Sequence, residues 1–306
     1  MSRDRDALAD YTNAAFTSSA VVLRSYSTSF GLASRLFEAG VRRRVESVYA
    51  LVRVADEIVD GVTAAAGLAP EETRRQLDEF ERETERALNL GYSANLVVHA
   101  FADTARLTGI GTDLTRPFFA SMRADLDRVE HTPESFTQYV YGSAEVVGLM
   151  CLKCFLHGYS VSAEENARLQ RGARHLGAAF QKVNFLRDLA EDFTALGRSY
   201  FPGVSPASFD ETAKQRLLAD IDHDLRESRA VLRGLPPSSR RAVALAQELF
   251  AELAERIRAT PASELIRTRI SVPNTVKLRI AAVVLAGRRG FEEARPDARP
   301  DKIEAP

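Results

Sequence analysis

Four aspartates stand out by their setting. Asp56 and Asp60 lie in VYALVRVADEIVDGV, and Asp188 and Asp192 in FQKVNFLRDLAEDF, segments otherwise rich in aliphatic and aromatic residues. On a helix, residues three and four apart are neighbours. Tyr49, Arg53, Asp56 and Asp60 would then share one face of the first segment, and Gln181, Asn184, Asp188 and Asp192 one face of the second, with Arg187 and Glu191 flanking. The spacing alone says little, because it recurs at Asp6/Asp10, Asp220/Asp224 and Asp297/Asp301 among polar neighbours, where solvated faces explain it. In an apolar helix a carboxylate must be paired, hydrogen-bonded or metal-bound. Carboxylates one turn apart are separated by about 6 Å along the axis. Oxygens so placed suit magnesium ions, which share their coordination with substrate phosphates. Arg53, Arg187 and Arg198 could contact the remaining diphosphate oxygens. The structural alternative is a buried salt-bridge network built on Arg53 and Arg187.

This donor set in apolar surroundings suits ionisation of an allylic diphosphate: cations stabilise the leaving group and dry walls protect the carbocation. Tyr49, Tyr139, Tyr141, Phe30 and Phe250 are candidate cation-facing walls, and each reads equally well as core. Nucleotide chemistry has no support: there is no G-x-x-x-x-G-K-[ST], and GIGTDL at 109–114 lacks the last glycine of a dinucleotide fingerprint.

The elements that must carry these faces read as helices. Apolar residues recur at three and four in ALNLGYSANLVVHAFADTARL, SFTQYVYGSAEVVGLMCLKCFL, LGAAFQKVNFLRDLAEDF and RRAVALAQELFAELAERI. Pro70 and Pro133 fit first helical turns and Ser162 with Glu165 a capping box. Gly109, Gly142, Gly158, Gly197, Pro236-Pro237 and Pro261 read as breaks, Gly142 the doubtful one because it also falls within a helical pattern. Apart from the ambiguous RTRISV at 267–272 no alternation of period two is sustained, so the expected fold is an all-α single domain over 1–286. Residues 287–306, charged and proline-containing, read as a mobile tail. The 306 residues are 45% hydrophobic and 27% charged with net charge −1, which gives no basis for nucleic-acid binding. No secretory leader and no uncharged run of about 18 residues is evident, so a cytoplasmic location is expected. Cys151 and Cys154, with His157 one turn on, lack the fourth ligand of a structural zinc site and read as reduced core thiols.

The chain resembles the squalene and phytoene synthase family of head-to-head isoprenyl diphosphate synthases, bacterial phytoene synthases most of all. The likeness runs in order through STSFGLASRLF (27–37), YALVRVADEIVD (49–60), YVYGSAEVVGLM (139–150), QKVNFLRDLAEDF (181–193) and RSYFP (198–202). It implies an isoprenoid-synthase helical bundle around a central apolar cavity. Asp56, Asp60, Asn184, Asp188 and Asp192 would hold magnesium, with manganese as a substitute. Ser27, Ser29, Arg53, Gln181, Asn184, Arg187, Arg198 and Tyr200 would contact diphosphate or metal, and Tyr49 and Tyr139 the reacting chains. Tyr26 stands where the family often has histidine, and Phe250 where a tyrosine is expected. The implied reaction joins two geranylgeranyl diphosphates through prephytoene diphosphate to phytoene without NADPH. Squalene or dehydrosqualene synthesis from farnesyl diphosphate, and a non-catalytic assembly factor of the same fold, are the open alternatives. The wholly apolar product suggests peripheral membrane contact, and oligomeric state is not readable.

Overall fold

A computed structural model describes residues 2–127, 130–191, 199–287 and 301–302. Its helices are α1 (Ser2–Tyr26), α2 (Thr28–Ser34), α3 (Ala39–Val59), α4 (Val62–Ala65), α5 (Pro70–Leu90), α6 (Leu96–Thr108), α7 (Thr112–Asp127), α8 (Pro133–Val140), α9 (Val146–Leu156), α10 (Ala163–Glu191), α11 (Glu211–Val231), α12 (Pro237–Ala259), α13 (Ala262–Leu265) and α14 (Asn274–Leu285). The all-α expectation holds, with one small addition. Tyr159–Ser160 (β1) pairs antiparallel with Asp301–Lys302 (β2), the latter from the stretch read as a tail.

Local signals explain most boundaries. Pro70 opens α5, and Pro133 opens α8 behind a reciprocal Thr132/Ser135 capping box. At α10 only half of the expected box forms: Glu165 N–H donates to Ser162 Oγ at 3.1 Å, while the Glu165 carboxylate turns to Arg168 instead. The periodic stretch around residues 87–107 is two helices, because Gly91 ends α5. RTRISV is irregular rather than extended in a sheet. In α3 the residues Val41, Val45, Val48, Leu51, Ala55 and Val59 form a buried stripe at helical spacing. Each large one contributes about 1.5–3 kcal/mol relative to exposure. Gly61, at φ 105°, ends the helix directly after Asp60, in a conformation side-chain-bearing residues rarely adopt.

Two apolar cores result. The larger joins α3, α5, α6, α7, α9, the first half of α12 and α14. The smaller joins the C-terminal half of α10, α11, the second half of α12, α13 and residues 201–209. Elements from both close a ring: α3 packs on α7, α7 on residues 141–145, these on α10, α10 on α12, α12 on α2, and α2 back on α3. The two aspartate faces lie on α3 and α10, on opposite sides of that ring.

Residues 133–156 are one continuous helix whose middle, Tyr141–Glu145, winds as a π turn. Gly142 is therefore inside a helix, and its lack of a side chain is what lets two helices meet. A Cβ there would come within 2.2 Å of both Pro117 O and Ser121 Oγ on α7. Ser121 Oγ also donates to Tyr139 O at 3.1 Å, which fixes the turn beside a candidate site residue. By length and composition this helix could cross a membrane, contrary to the sequence expectation. Its buried Tyr139, Val146, Met150, Leu152, Cys154 and Phe155 instead place it in the core. Cys151 and Cys154 are free thiols, and burial pushes Cys151 up to about 12, so neither is reactive.

The long α1 is held on α6 through His99, which is 1% exposed. Ser93 N–H donates to its Nδ1 at 3.4 Å, which leaves Nε2 to donate to Thr12 Oγ1 at 2.9 Å. Burial lowers the pKa of this ring, so it folds neutral. Two outcomes follow. Gly142→Ala should cost about 1–3 kcal/mol in chemical denaturation, whereas Gly31→Ala, whose Cβ meets nothing within 4 Å, should be neutral or stabilising by under about 1 kcal/mol. Because the folded pKa of His99 lies below its unfolded value of roughly 6.5, its ring costs nothing above that pH. As pH falls below it, the unfolded chain takes the proton first and stability drops. The pH dependence of the thermal midpoint between about pH 7 and 5 should be shallower in His99→Gln.

Candidate active site

The first aspartate face brings carboxylates together. Asp56, half-buried near the end of α3, is pushed well above the usual carboxylate range, first by burial and then by Asp60 and Asp125, with Arg53 opposing. Arg53 is itself engaged, in an ion pair with Glu57 one turn on, and its guanidinium lies over the Tyr26 ring at 4.6 Å. Glu57, without an assigned role from sequence, thus holds Arg53. Arg53 Nε remains buried with no hydrogen-bond partner.

Asp125, on α7, was not singled out by the sequence reading. It is 8% exposed and accepts hydrogen bonds from Tyr139 Oη at 2.9 Å and Tyr200 Oη at 3.4 Å. Burial and the Asp125 charge hold the Tyr139 hydroxyl far above its ordinary pKa, so it is a donor at any working pH. Tyr200 stacks on Phe185 of α10 at 4.1 Å, and Tyr139 lies 6.0 Å from the same ring. His131 covers both tyrosines, 4.9 Å from Tyr139 and 6.0 Å from Tyr200. This aromatic wall links the acids of α3 and α7 to α10.

The second face is richer in cations. Asp188 accepts from Arg187 Nε at 2.9 Å and from Arg269 Nε at 2.7 Å. Lys277, at the start of α14, donates to Thr28 Oγ1 at 2.9 Å, and its pKa is lowered by burial and then by the nearby Arg187. Asn184 sits one turn before Asp188 with Oδ1 buried and unpartnered, and Gln181 is half-buried one turn earlier. Asp192 and Arg198 lie outside the described residues. On the substrate side of the ring, Ser27 caps α2, its Oγ accepting from Phe30 N at 3.1 Å, and Ser29 is half-buried on the next turn. Phe30 stacks on Tyr49 at 5.6 Å. Burial raises the Tyr49 hydroxyl, with Arg53 and the Ser27 hydrogen bond opposing. Of the other aromatic candidates, Phe250 stacks on Phe180 at 3.8 Å, and Tyr141 faces Arg174 at 5.4 Å.

The donor set fits magnesium: a desolvated Asp56 carboxylate repelled by Asp60 and Asp125 on one side, and on the other the Asn184 amide oxygen left without a donor. Among the described residues no three His, Cys, Asp or Glu groups converge on one ion position. Besides Asp125, the structure adds His131, Arg269 and Lys277. None had a sequence signal: Asp125 and His131 sit in the charged stretch ADLDRVEH, and the two bases occupy unpatterned positions near the C-terminus.

The chain is similar to known proteins. The chain is 27% identical to a phytoene synthase of Pseudescherichia vulneris over 78% of its length and 80% of the relative's. It is 28% identical to a 15-cis-phytoene synthase of Enterobacter agglomerans, over 84% and 90%. Among solved structures, a dehydrosqualene synthase in complex with ligand superposes with TM-score 0.75 at 21% identity, covering 92% of this chain and 98% of that one. A squalene synthase of Alicyclobacillus acidocaldarius gives TM-score 0.68 at 21% identity, over 81% and 94%. These two show the isoprenoid-synthase helical fold. The sequence pattern of the squalene/phytoene synthases matches residues 23–275, so the chain belongs to that family of prenyltransferases.

Proposed function

We propose that this enzyme is a phytoene synthase, joining two geranylgeranyl diphosphates head to head. The observation that carries the reaction class is the desolvated Asp56, repelled by Asp60 and Asp125 on the α3 side of the ring, with the unpartnered Asn184 oxygen, Asp188 and the cations Arg187, Arg269 and Lys277 on the α10 side. The choice of substrate is supported by relatives bearing that name over most of the chain.

In the first half-reaction the C1–O bond of one donor breaks and diphosphate departs. C1 then bonds to the C2=C3 double bond of the second molecule, and loss of a proton closes the cyclopropane of prephytoene diphosphate. In the second, the remaining C–O bond breaks, diphosphate leaves, the cation rearranges, and loss of a second proton gives phytoene. No electrons are added, so NADPH has no part. Asp56, Asp60, Asn184 and Asp188 would hold magnesium, which neutralises the departing diphosphate when bound, with Asp192 completing the set. Arg187, Arg269 and Lys277 meet the diphosphate oxygens as they gain charge. The Phe30–Tyr49 and Phe180–Phe250 pairs and the Tyr139–Tyr200–Phe185 wall present ring faces to the carbocation and exclude water.

Incubation with magnesium and either geranylgeranyl or farnesyl diphosphate, with and without NADPH, tests this directly. Phytoene should form from the longer donor without NADPH. Squalene formed from the shorter donor only with NADPH would move the assignment to the runner-up, and absence of metal-dependent diphosphate release from either donor would overturn it. Asp56→Asn and Asp188→Asn should each lower turnover by at least about 10²–10³-fold. Without metal, Asp56→Asn should leave the thermal midpoint unchanged or raise it, since it relieves repulsion from Asp60 and Asp125. A purely structural ion-pair network would instead lose stability on that change.

A further inference from the structure

The last helix leaves an apolar face uncovered at the rim of the site. In α14 Val276, Ile280, Ala281 and Val284 pack inward on the larger core. Lys277 turns toward Thr28 and Arg187. On the opposite side Leu278 is 62% exposed, Leu285 49%, and Ala282 between them is exposed too. These three fall at i, i+4 and i+7 and form one stripe. Tyr26, 52% exposed, lies two residues before Thr28 and so at the same rim. A helix apolar all round normally has partners on all sides; this one has none on its outer stripe among the described residues. The stripe lies beyond residue 275, where the match to the family pattern stops.

Charge identifies what covers it. From Leu265 to Gly290 the chain carries Arg267, Arg269, Lys277, Arg279, Arg288 and Arg289 and no acidic residue, although its net charge is −1. Arg279, next to Leu278, and Arg267, in the segment that leads into α14, are both exposed. We propose that the outer face of α14 seats on an anionic phospholipid bilayer, with Leu278, Ala282 and Leu285 in the acyl boundary and the flanking arginines at the phosphates. A second copy fits less well, because a two-fold contact would set this basic surface against itself. The segment after Gly287 offers only Phe291 and Ile303 as large apolar residues and is balanced in charge, so it has little to bury there. On the reading of the site given above, this contact places the mouth against the phase that accepts a water-insoluble product. The binding itself is measurable without catalysis, so its failure would leave the proposed reaction standing.

The test is co-sedimentation of the full chain with vesicles of phosphatidylcholine alone or with phosphatidylglycerol added. Binding should require the anionic lipid and weaken with salt. It should fall about tenfold or more in Leu278→Glu/Leu285→Glu, fall less in Arg279→Glu, and persist in Leu90→Glu, which alters an equally exposed leucine on α5. Circular dichroism and turnover in detergent should be unchanged in the double variant. No binding to anionic vesicles, equal binding by the double variant, or self-association abolished by that variant in place of vesicle binding would overturn the proposal.

Discussion

The placement of Asp56 constrains most of this fold. A carboxylate half-buried in an apolar helix, with Asp60 and Asp125 adding to its charge and its nearest arginine already paired to Glu57, is held at a cost the surrounding packing must outweigh. The buried stripe of α3 on its other side supplies that packing, from Val41 through Val59. Charge kept at such a cost is a mark of functional sites.

The scaffold turns one helical face into a site by close approach. Gly142 lets the 133–156 helix touch α7, and the π turn there presents Tyr139 to Asp125. Asp125 in turn fixes the Tyr200 hydroxyl, whose ring stacks on Phe185 of α10. A chain of contacts thus couples the acids of α3 to the amide and acid of α10 without the two helices packing face to face. Asp56, Asp60 and Asp125 stand on the α3 side, and Arg187, Arg269 and Lys277 gather on the other.

The Asp56/Asp60 and Asn184/Asp188 faces, the all-helical class and the reduced core thiols were legible in the sequence because each depends on residues within a helical turn or two. Helical spacing tells which side chains share a face, and an apolar background tells which faces are costly. The same spacing put Tyr49 and Gln181 on those faces, and family likeness added Ser27 and Ser29, whose spacing alone carries no signal. The doubtful Gly142 shows the limit: a glycine in a helical pattern reads as a break until the neighbour that needs its missing side chain is known.

Tertiary structure alone decided what meets across the ring. Asp125 and His131 in a charged stretch, Arg269 in an irregular segment and Lys277 on the last helix are separated from the aspartates they serve by dozens of residues, and no periodicity links them. The sequence determined which faces carry charge, because that is set by the pitch of a helix. Which charges face one another depends on packing between helices, and only the folded chain determines that.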